Sequence, residues 1–343
     1  MMPKQMDKTR IAKFLDHYRI YLIFVLVSAF SIAFAPNFFN VFNLTNILRG
    51  MSLNAMVAIG FTIVMICGQL DLSIAAILNL GAILVIGLQP TLGWGLSLLI
   101  AVLAGIAAGT INGLLVAKAQ INSFIVTIGT TTIIQGLIYI YSRGSSINTM
   151  DFTLPDWIET PLLPMLPPRV IITLVVVILF EIIMTRTRYG RSFFMVGGNK
   201  ETAWLAGLST NKTIISAFAI SGLTASLGGA LFAISQSSAV PNMGEKGVSP
   251  QMTVIAATII GGTSMAGGIG SVTKSLFAVL SMSILFNALN CFGAGYEVQV
   301  FVSGLVLALV VLYEAYALYK QDLIKGQRPA LMRELVDQKT AGR

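Results

Sequence analysis

Apolar runs of about twenty residues, separated by short polar stretches, repeat along most of the chain. A membrane-spanning helix needs about 20 apolar residues. The pattern predicts ten such segments, at about 18–35, 47–67, 72–88, 94–117, 122–142, 169–185, 213–235, 250–262, 272–290 and 297–319. The eighth is short and leads into a glycine-rich stretch, 261–270. The region 47–88 reads either as two full spans or as one span followed by broken helices around Gly68–Asp71. The expected fold is an all-α integral membrane protein of about ten transmembrane helices. One membrane domain, 18–319, would lie between an N-terminal tail, 1–17, and a basic C-terminal tail, 320–343. Ala33-Phe34-Ala35 mimics a signal-peptide cleavage site, but Pro36 follows directly and nine further apolar runs need a membrane regardless.

Composition strengthens this reading. The chain is 55% hydrophobic and 10% charged, with a mean hydropathy of +0.83, whereas soluble domains carry roughly 25% charged residues. A net charge of +8 raises nucleic acid as a partner. The basic residues punctuate apolar spans and form no continuous basic face, which excludes it. Their placement also orients the chain, because cytoplasmic loops collect Lys and Arg. With the N-terminus inside, 18 of the 22 Lys/Arg fall in the cytoplasm, and only Arg49, Arg143, Arg169 and Lys246 fall outside. An even number of spans then keeps both termini cytoplasmic. The outer loop 143–168 carries Asp151, Asp156, Trp157, Glu159 and several prolines. Cys67 and Cys291 lie in or beside apolar runs and read as packed small side chains, not as a disulfide or metal site.

Small residues recur at four-residue spacing: Gly105, Gly109 and Gly113 in the fourth segment, and Gly222, Ser226 and Ala230 in the seventh. Such stripes let helix backbones approach closely, so they are assigned to helix packing. Gly68-Gln69-Leu70-Asp71-Leu72-Ser73 interrupts an apolar stretch with an acid near the inner face. A carboxylate there must be paired, wet or capping a helix, so Asp71 either caps the third span, gates, or touches a solute. Neutral polar residues populate the span interiors, among them Asn54, Asn79, Asn112, Thr127, Thr130, Gln135, Asn287 and Asn290. These suit a path for a hydroxyl-rich solute or hydrogen bonds between helices.

Chemistry is scarce. The single His is His17, and no HExxH, nucleophile elbow or Cys/His cluster occurs. Gly261–Gly270 with Thr273-Lys274-Ser275 suggests a phosphate loop, but a Walker A motif needs Gly directly before the Lys. This stretch therefore reads as a tight turn between helices at the cytoplasmic face, and the chain is expected to have no ATP site, cofactor or catalytic residue of its own. Glu181, Glu297 and Glu314 sit near span ends, where interfacial solvation is the default. An ion-coupled secondary transporter is the rival reading; it would show ionisable groups in relay at mid-membrane, and none is apparent. The loop Arg186–Lys212 stands apart: it is long, carries five Lys/Arg and is patterned enough to dock a partner.

Four stretches carry a resemblance. Gly68 followed by Gln69-Leu70-Asp71-Leu72-Ser73 resembles the "G-x-DLS" segment of the permease subunits of ribose-type carbohydrate importers. Ile121-Asn122-Ser123-Phe124-Ile125-Val126-Thr127 is similar to their "PSFIVTLG" segment. Gly190-Arg191, Gly197-Gly198-Asn199 and Ala203…Ala206-Gly207 resemble their "GR…AxGGN…A…AGI" loop, and Gly261-Gly262-Thr263-Ser264…Gly267-Gly268 their "GGTSxxGGxG" turn. The resemblance covers about 45–315 and implies an ATP-binding-cassette importer in a bacterial inner membrane, with a fold like that of cobalamin importer permeases. It implies two cytoplasmic ATPase domains (one fused tandem subunit), which bind ATP and magnesium. It also implies a second permease subunit, a periplasmic or surface binding protein, and a monosaccharide or related polar solute.

The loop 190–211 would be the coupling element, with a short helix at about Lys200–Ala206. Its contacts would come from Arg191, Gly197, Gly198, Asn199, Glu201, Thr202, Ala203, Trp204, Ala206 and Gly207. Candidate path or gate residues are Asp71, Asn79, Asn112, Asn122, Phe124, Thr127 and Asn287. The chain departs from the family pattern in three places. Asn122 stands where Pro is common, the run Val248–Ala257 lacks the acid that family members commonly carry before the eighth span, and Thr273-Lys274 replaces small residues.

Overall fold

The computed structural model describes residues 4–242, 250–313, 315 and 316, with side chains from residue 18 onward. The C-terminal stretch 320–343, Lys246, Glu314 and the His17 side chain lie outside the described residues. The described part is helical apart from one two-stranded ribbon. Its helices are α1 (Lys4–Phe34), α2 (Val41–Ile66), α3 (Ile74–Ala117), α4 (Ser123–Ser142), α5 (Thr153–Glu159), α6 (Pro168–Arg186), α7 (Arg188–Gly198), α8 (Lys200–Leu205), α9 (Thr210–Gln236), α10 (Pro250–Ile260) and α11 (Val272–Cys291). A further helix, α12, covers Tyr296–Tyr313. Strands β1 (Ile147–Asn148) and β2 (Ser238–Ala239) pair antiparallel, Ile147 opposite Ala239.

Seven of these helices are long and apolar enough to cross a membrane: α2, α3, α4, α6, α9, α11 and α12. The apolar part of α1, Tyr18–Phe34, and α10 are shorter. At 1.5 Å per residue α10 spans about 16 Å, roughly half a hydrocarbon core. The third and fourth sequence segments run together as the 44-residue α3, broken inside by Gly93 at φ 71°, ψ 172°. Straight, that length would reach about 66 Å, twice the core. Gly93 lets the chain take a backbone angle closed to other residues, and α3 doubles back: Asn112 in its second half donates to Ser73 at its start, 2.9 Å apart.

Both halves of α3 lie against α9. A Cβ on Gly81 or on Gly105 would collide with Ser226, one on Gly109 with the Phe218 carbonyl, and one on Gly113 would stand 2.7 Å from the Ile215 Cα. Gly222 in turn faces the Gly105 carbonyl. The small-residue stripes of the two segments thus meet face to face. Apolar side chains gain little from leaving lipid for protein, so close backbone approach and dispersion hold such a pair. The same logic sets the layering: α2 and α9 are the innermost, with 72% of each apolar window buried, against 6% for α12.

Candidate functional site

Thr187 caps α7 by accepting from Gly190 N at 2.9 Å, and Asn199 caps α8 by accepting from Thr202 N at 2.8 Å. Gly207, at φ +83°, ends α8 where a side chain would be strained. Together α7 and α8 make a helical elbow. α7 buries Phe193 and Val196, and α8 buries only Ala203. Arg191, Gly198, Asn199, Glu201, Thr202, Ala206 and Gly207 are exposed. So are two large apolar side chains, Trp204 at 67% and Leu205 at 77%. Adjacent exposed apolar groups on a polar loop are the mark of a docking surface.

Behind the elbow the contact is backbone on backbone. Ile66 closes α2, and its carbonyl is one of the helix-end acceptors without an intrahelical partner. Gly268 N donates to it at 2.8 Å. Gly197, in the last turn of α7, packs on the same carbonyl so closely that a Cβ there would overlap it. A Cβ on Gly267 would come within 2.7 Å of the Gly197 carbonyl and 2.8 Å of the Gly68 Cα. Gly68, Gly267 and Gly268 all have positive φ. The end of α2, the end of α7 and the turn leading into α11 therefore share one glycine junction. α11 starts beside it: Ser271 caps Lys274 N at 3.3 Å, and Glu181 of α6 accepts from Thr273 N at 3.0 Å. Glu181 is thus engaged with a helix N-terminus, where a carboxylate is favoured, and not simply solvated at an interface.

A buried polar belt lies next to this junction. The Asp71 carboxylate accepts from Ser73 N at 3.0 Å, Ser73 Oγ at 2.5 Å and Ser221 Oγ at 2.7 Å. Ser73 accepts from Asn112, which accepts from Thr130 at 2.6 Å. Asn79 donates to Gln135 Oε1 and to the Pro241 carbonyl, each at 3.4 Å. Thr127 donates to the Ser123 carbonyl at 2.8 Å. Asp71, Asn79, Asn112 and Thr127 are all buried, and their bonds join α3, α4 and α9. Asn122 caps α4 by accepting from Phe124 N at 2.9 Å, and Phe124 is exposed.

Asn287 lies elsewhere, in a cavity of about 490 Å³ lined from α2, α11 and α12. Asn43, Asn46, Asn54, Asn287, Asn290 and Gln299 supply amides to it. Asn43 and Asn287 exchange hydrogen bonds in both directions, at 2.9 and 2.8 Å. The neighbouring surface carries an ionic cluster. Glu159, at the end of α5, pairs with Arg49 of α2 at 2.8 Å and with Arg169 of α6 at 3.2 Å. Arg169 also donates to Ser235 of α9, and Arg49 to Asn46 at 3.4 Å. Among the described residues, no group of three His, Cys, Asp or Glu side chains is placed to hold a metal ion.

Residues 43–311 match the family described as "Branched-chain amino acid transport system / permease component". This chain belongs to that permease family. The ribose import permease protein RbsC of Haemophilus influenzae is 33% identical over 320 residues, covering 92% of this chain and 98% of that protein. The L-arabinose transport system permease protein AraH of Escherichia coli is 30% identical over 317 residues, covering 88% and 91%. The autoinducer 2 import system permease protein LsrC of Yersinia enterocolitica is 31% identical over 280 residues, covering 81% and 76%. No solved structure matches the chain. The protein is the permease subunit of a bacterial ABC importer, a multi-pass protein of the inner membrane. It is not an enzyme, and separate subunits supply the ATPase.

Three features of this permease escaped the sequence reading. α7 was an undivided part of the loop. The Glu159 cluster joins residues 110 and 10 positions apart and needs the fold to bring it together. Of the α2 amides, Asn54 is named above, whereas Asn43 and Asn46 are not; their helical spacing from each other and from Asn54, which puts the three toward one face, is the signal that could have found them.

Proposed function

We propose that this permease imports a monosaccharide or a related polar solute by alternating access. It spans the membrane ten times with both termini in the cytoplasm, in a fold like that of the cobalamin importer permeases. Its partners are a second permease subunit, a tandem ATPase and a periplasmic or surface binding protein. The names of its relatives, which include ribose and L-arabinose transport, support the solute class.

The observation that carries the coupling is the elbow on the glycine junction. α8 offers Trp204 and Leu205 to a cleft in the ATPase. α7 behind it abuts the end of α2 and the turn into α11, through main-chain atoms with no side chain between to give way. Motion of the ATPase thus arrives at α2 and α11, the helices that frame the amide cavity at their other ends. A ligand or motor shifts a conformational equilibrium only by contacting its two states differently, and the elbow supplies that contact. The test is Gly198→Glu and Ala206→Glu, both in exposed positions. ATPase activity should persist in the assembled importer while uptake falls at least about tenfold, a loss of about 1.4 kcal/mol of coupling. Normal ATP-driven uptake by both variants, with the protein at its usual level in the membrane, would defeat the assignment of the elbow.

A further inference from the structure

The amide cavity has the chemistry to tell one class of polar solute from another. Six side-chain amides line it, and among the described residues no ionisable side chain other than the Cys291 thiol does. Of the charged groups close by, Arg49 and Glu159 are engaged with each other, and Glu297, two residues from Gln299, is exposed and outside the lining. Each amide offers both donors and an acceptor, matching a hydroxyl group, which also does both. A zwitterion would need an opposite charge for each of its ends on leaving water, and these walls have none to give.

We propose that this cavity is the transit site for a neutral polyhydroxylated solute and that it rejects zwitterionic amino acids. The proposal rests on the importer reading above and adds to it the place and chemical class of the cargo. Two details support it. Asn54 Oδ1 is buried with no hydrogen-bond partner. It lies thirteen residues into α2, about 20 Å along the helix from its start. On its wall, Asn43 and Asn287 satisfy each other reciprocally. A hydroxyl can replace either partner without loss of bond number, so the pair can open against a sugar at little cost. The volume of about 490 Å³ lies within the roughly 300–1,000 Å³ typical of small-molecule sites.

Cys291 makes this testable in the native chain. It lines the cavity and is partly exposed, whereas Cys67 is buried. Sealed right-side-out vesicles containing the full-length permease would be treated with a membrane-impermeant methanethiosulfonate, and the modification rate of Cys291 followed by mass. Ribose and leucine would be compared at one concentration, set by leucine's lower solubility: ribose should slow labelling about fivefold once it stands about four times above its Kd, and leucine should leave the rate unchanged. Asn54→Leu should label normally yet lose protection by ribose. If Cys291 proves unreactive, Gln299→Cys carries the label. Equal protection by ribose and leucine, or labelling that neither solute slows, would overturn the proposal. Protection needs no ATPase, so its failure alongside intact ATP-driven uptake removes this site and spares the importer reading. Protection that survives in a chain whose uptake ignores the ATPase does the reverse.

Discussion

The two ends of α2 are built from different materials. At Ile66 the helix meets its neighbours through main-chain atoms: the Gly268 N–H, the Gly197 backbone and the Gly68 turn. At Asn43–Asn54 it meets them through amides, and one step away through the Arg49–Glu159 pair. Main-chain contact between rigid helix ends has no rotamers to absorb a displacement and passes it on. Side-chain hydrogen bonds and ion pairs can be exchanged for others at modest net cost. On the proposed reading, one end receives force and the other handles a ligand, and α2 with its partner α11 connects them.

The largest expected effect comes from filling the inner end. Gly197→Val places a Cβ on the Ile66 carbonyl, and overpacking should destabilise the chain by about 3 kcal/mol. Thermal melting of the detergent-solubilised permease, followed by size exclusion, would show a clear fall. The neighbouring Gly198→Glu, whose site has open space around it, should melt like the parent. Identical melting of all three would dissolve the distinction between a packed junction and a free surface.

A smaller effect is expected at the outer end. Glu159→Gln removes the charge that faces Arg49 and Arg169 while keeping the shape of the side chain. Its side chain is 23% exposed, and those of the arginines 26% and 5%, so the loss should be about 1–2 kcal/mol, between a surface pair and a buried one. Melting in low and in high salt would check it: the parent should lose stability with salt and the variant should not.

The smallest effect is set by pH. The Thr153 hydroxyl and then the Thr153 N–H bond the Asp151 carboxylate, with Trp94 and Gln89 adding to them, and they hold its pKa below the ordinary carboxylate range. A group depressed on folding contributes stability that is complete above its unfolded pKa, near 3.9. That contribution is lost as pH falls through the lower folded value, because the unfolded chain binds the proton more readily. Trp94 Nε1 donates to Asp151 at 2.9 Å, so its fluorescence in a Trp157→Phe, Trp204→Phe background reports the contact. The signal should stay flat from neutral pH to about 5 and change only below about 4, and Asp151→Asn should abolish the acid transition.

Hydropathy made the helices legible because each lies in one continuous run of chain. The segment read at 272–290 is α11 at Val272–Cys291, and the short helix expected at about Lys200–Ala206 is α8 at Lys200–Leu205. The small-residue stripes announced close packing but not their partners, and only the fold shows Gly109 against Phe218. Asp71 illustrates the limit of local reading. Its tie to Ser73 is two residues away and foreseeable, while its tie to Ser221 spans 150 residues. Among the candidate path residues, the belt of α3, α4 and α9 bonds absorbs Asp71, Asn79 and Asn112, and Asn287 opens onto the cavity. Composition alone could not separate the two groups, since an amide reads the same in a wall as in a tie.

The glycine junction also constrains how such a chain can vary. Positions 66, 197 and 268 occupy one another's van der Waals shells through main-chain atoms, so added bulk at 197 finds room only if the end of α2 at 66, and with it the turn at 268, withdraws. Substitutions at these sites, far apart along the chain, must arrive in compensating sets. Anyone grafting a foreign elbow onto this scaffold would need to carry the matching turn along with it.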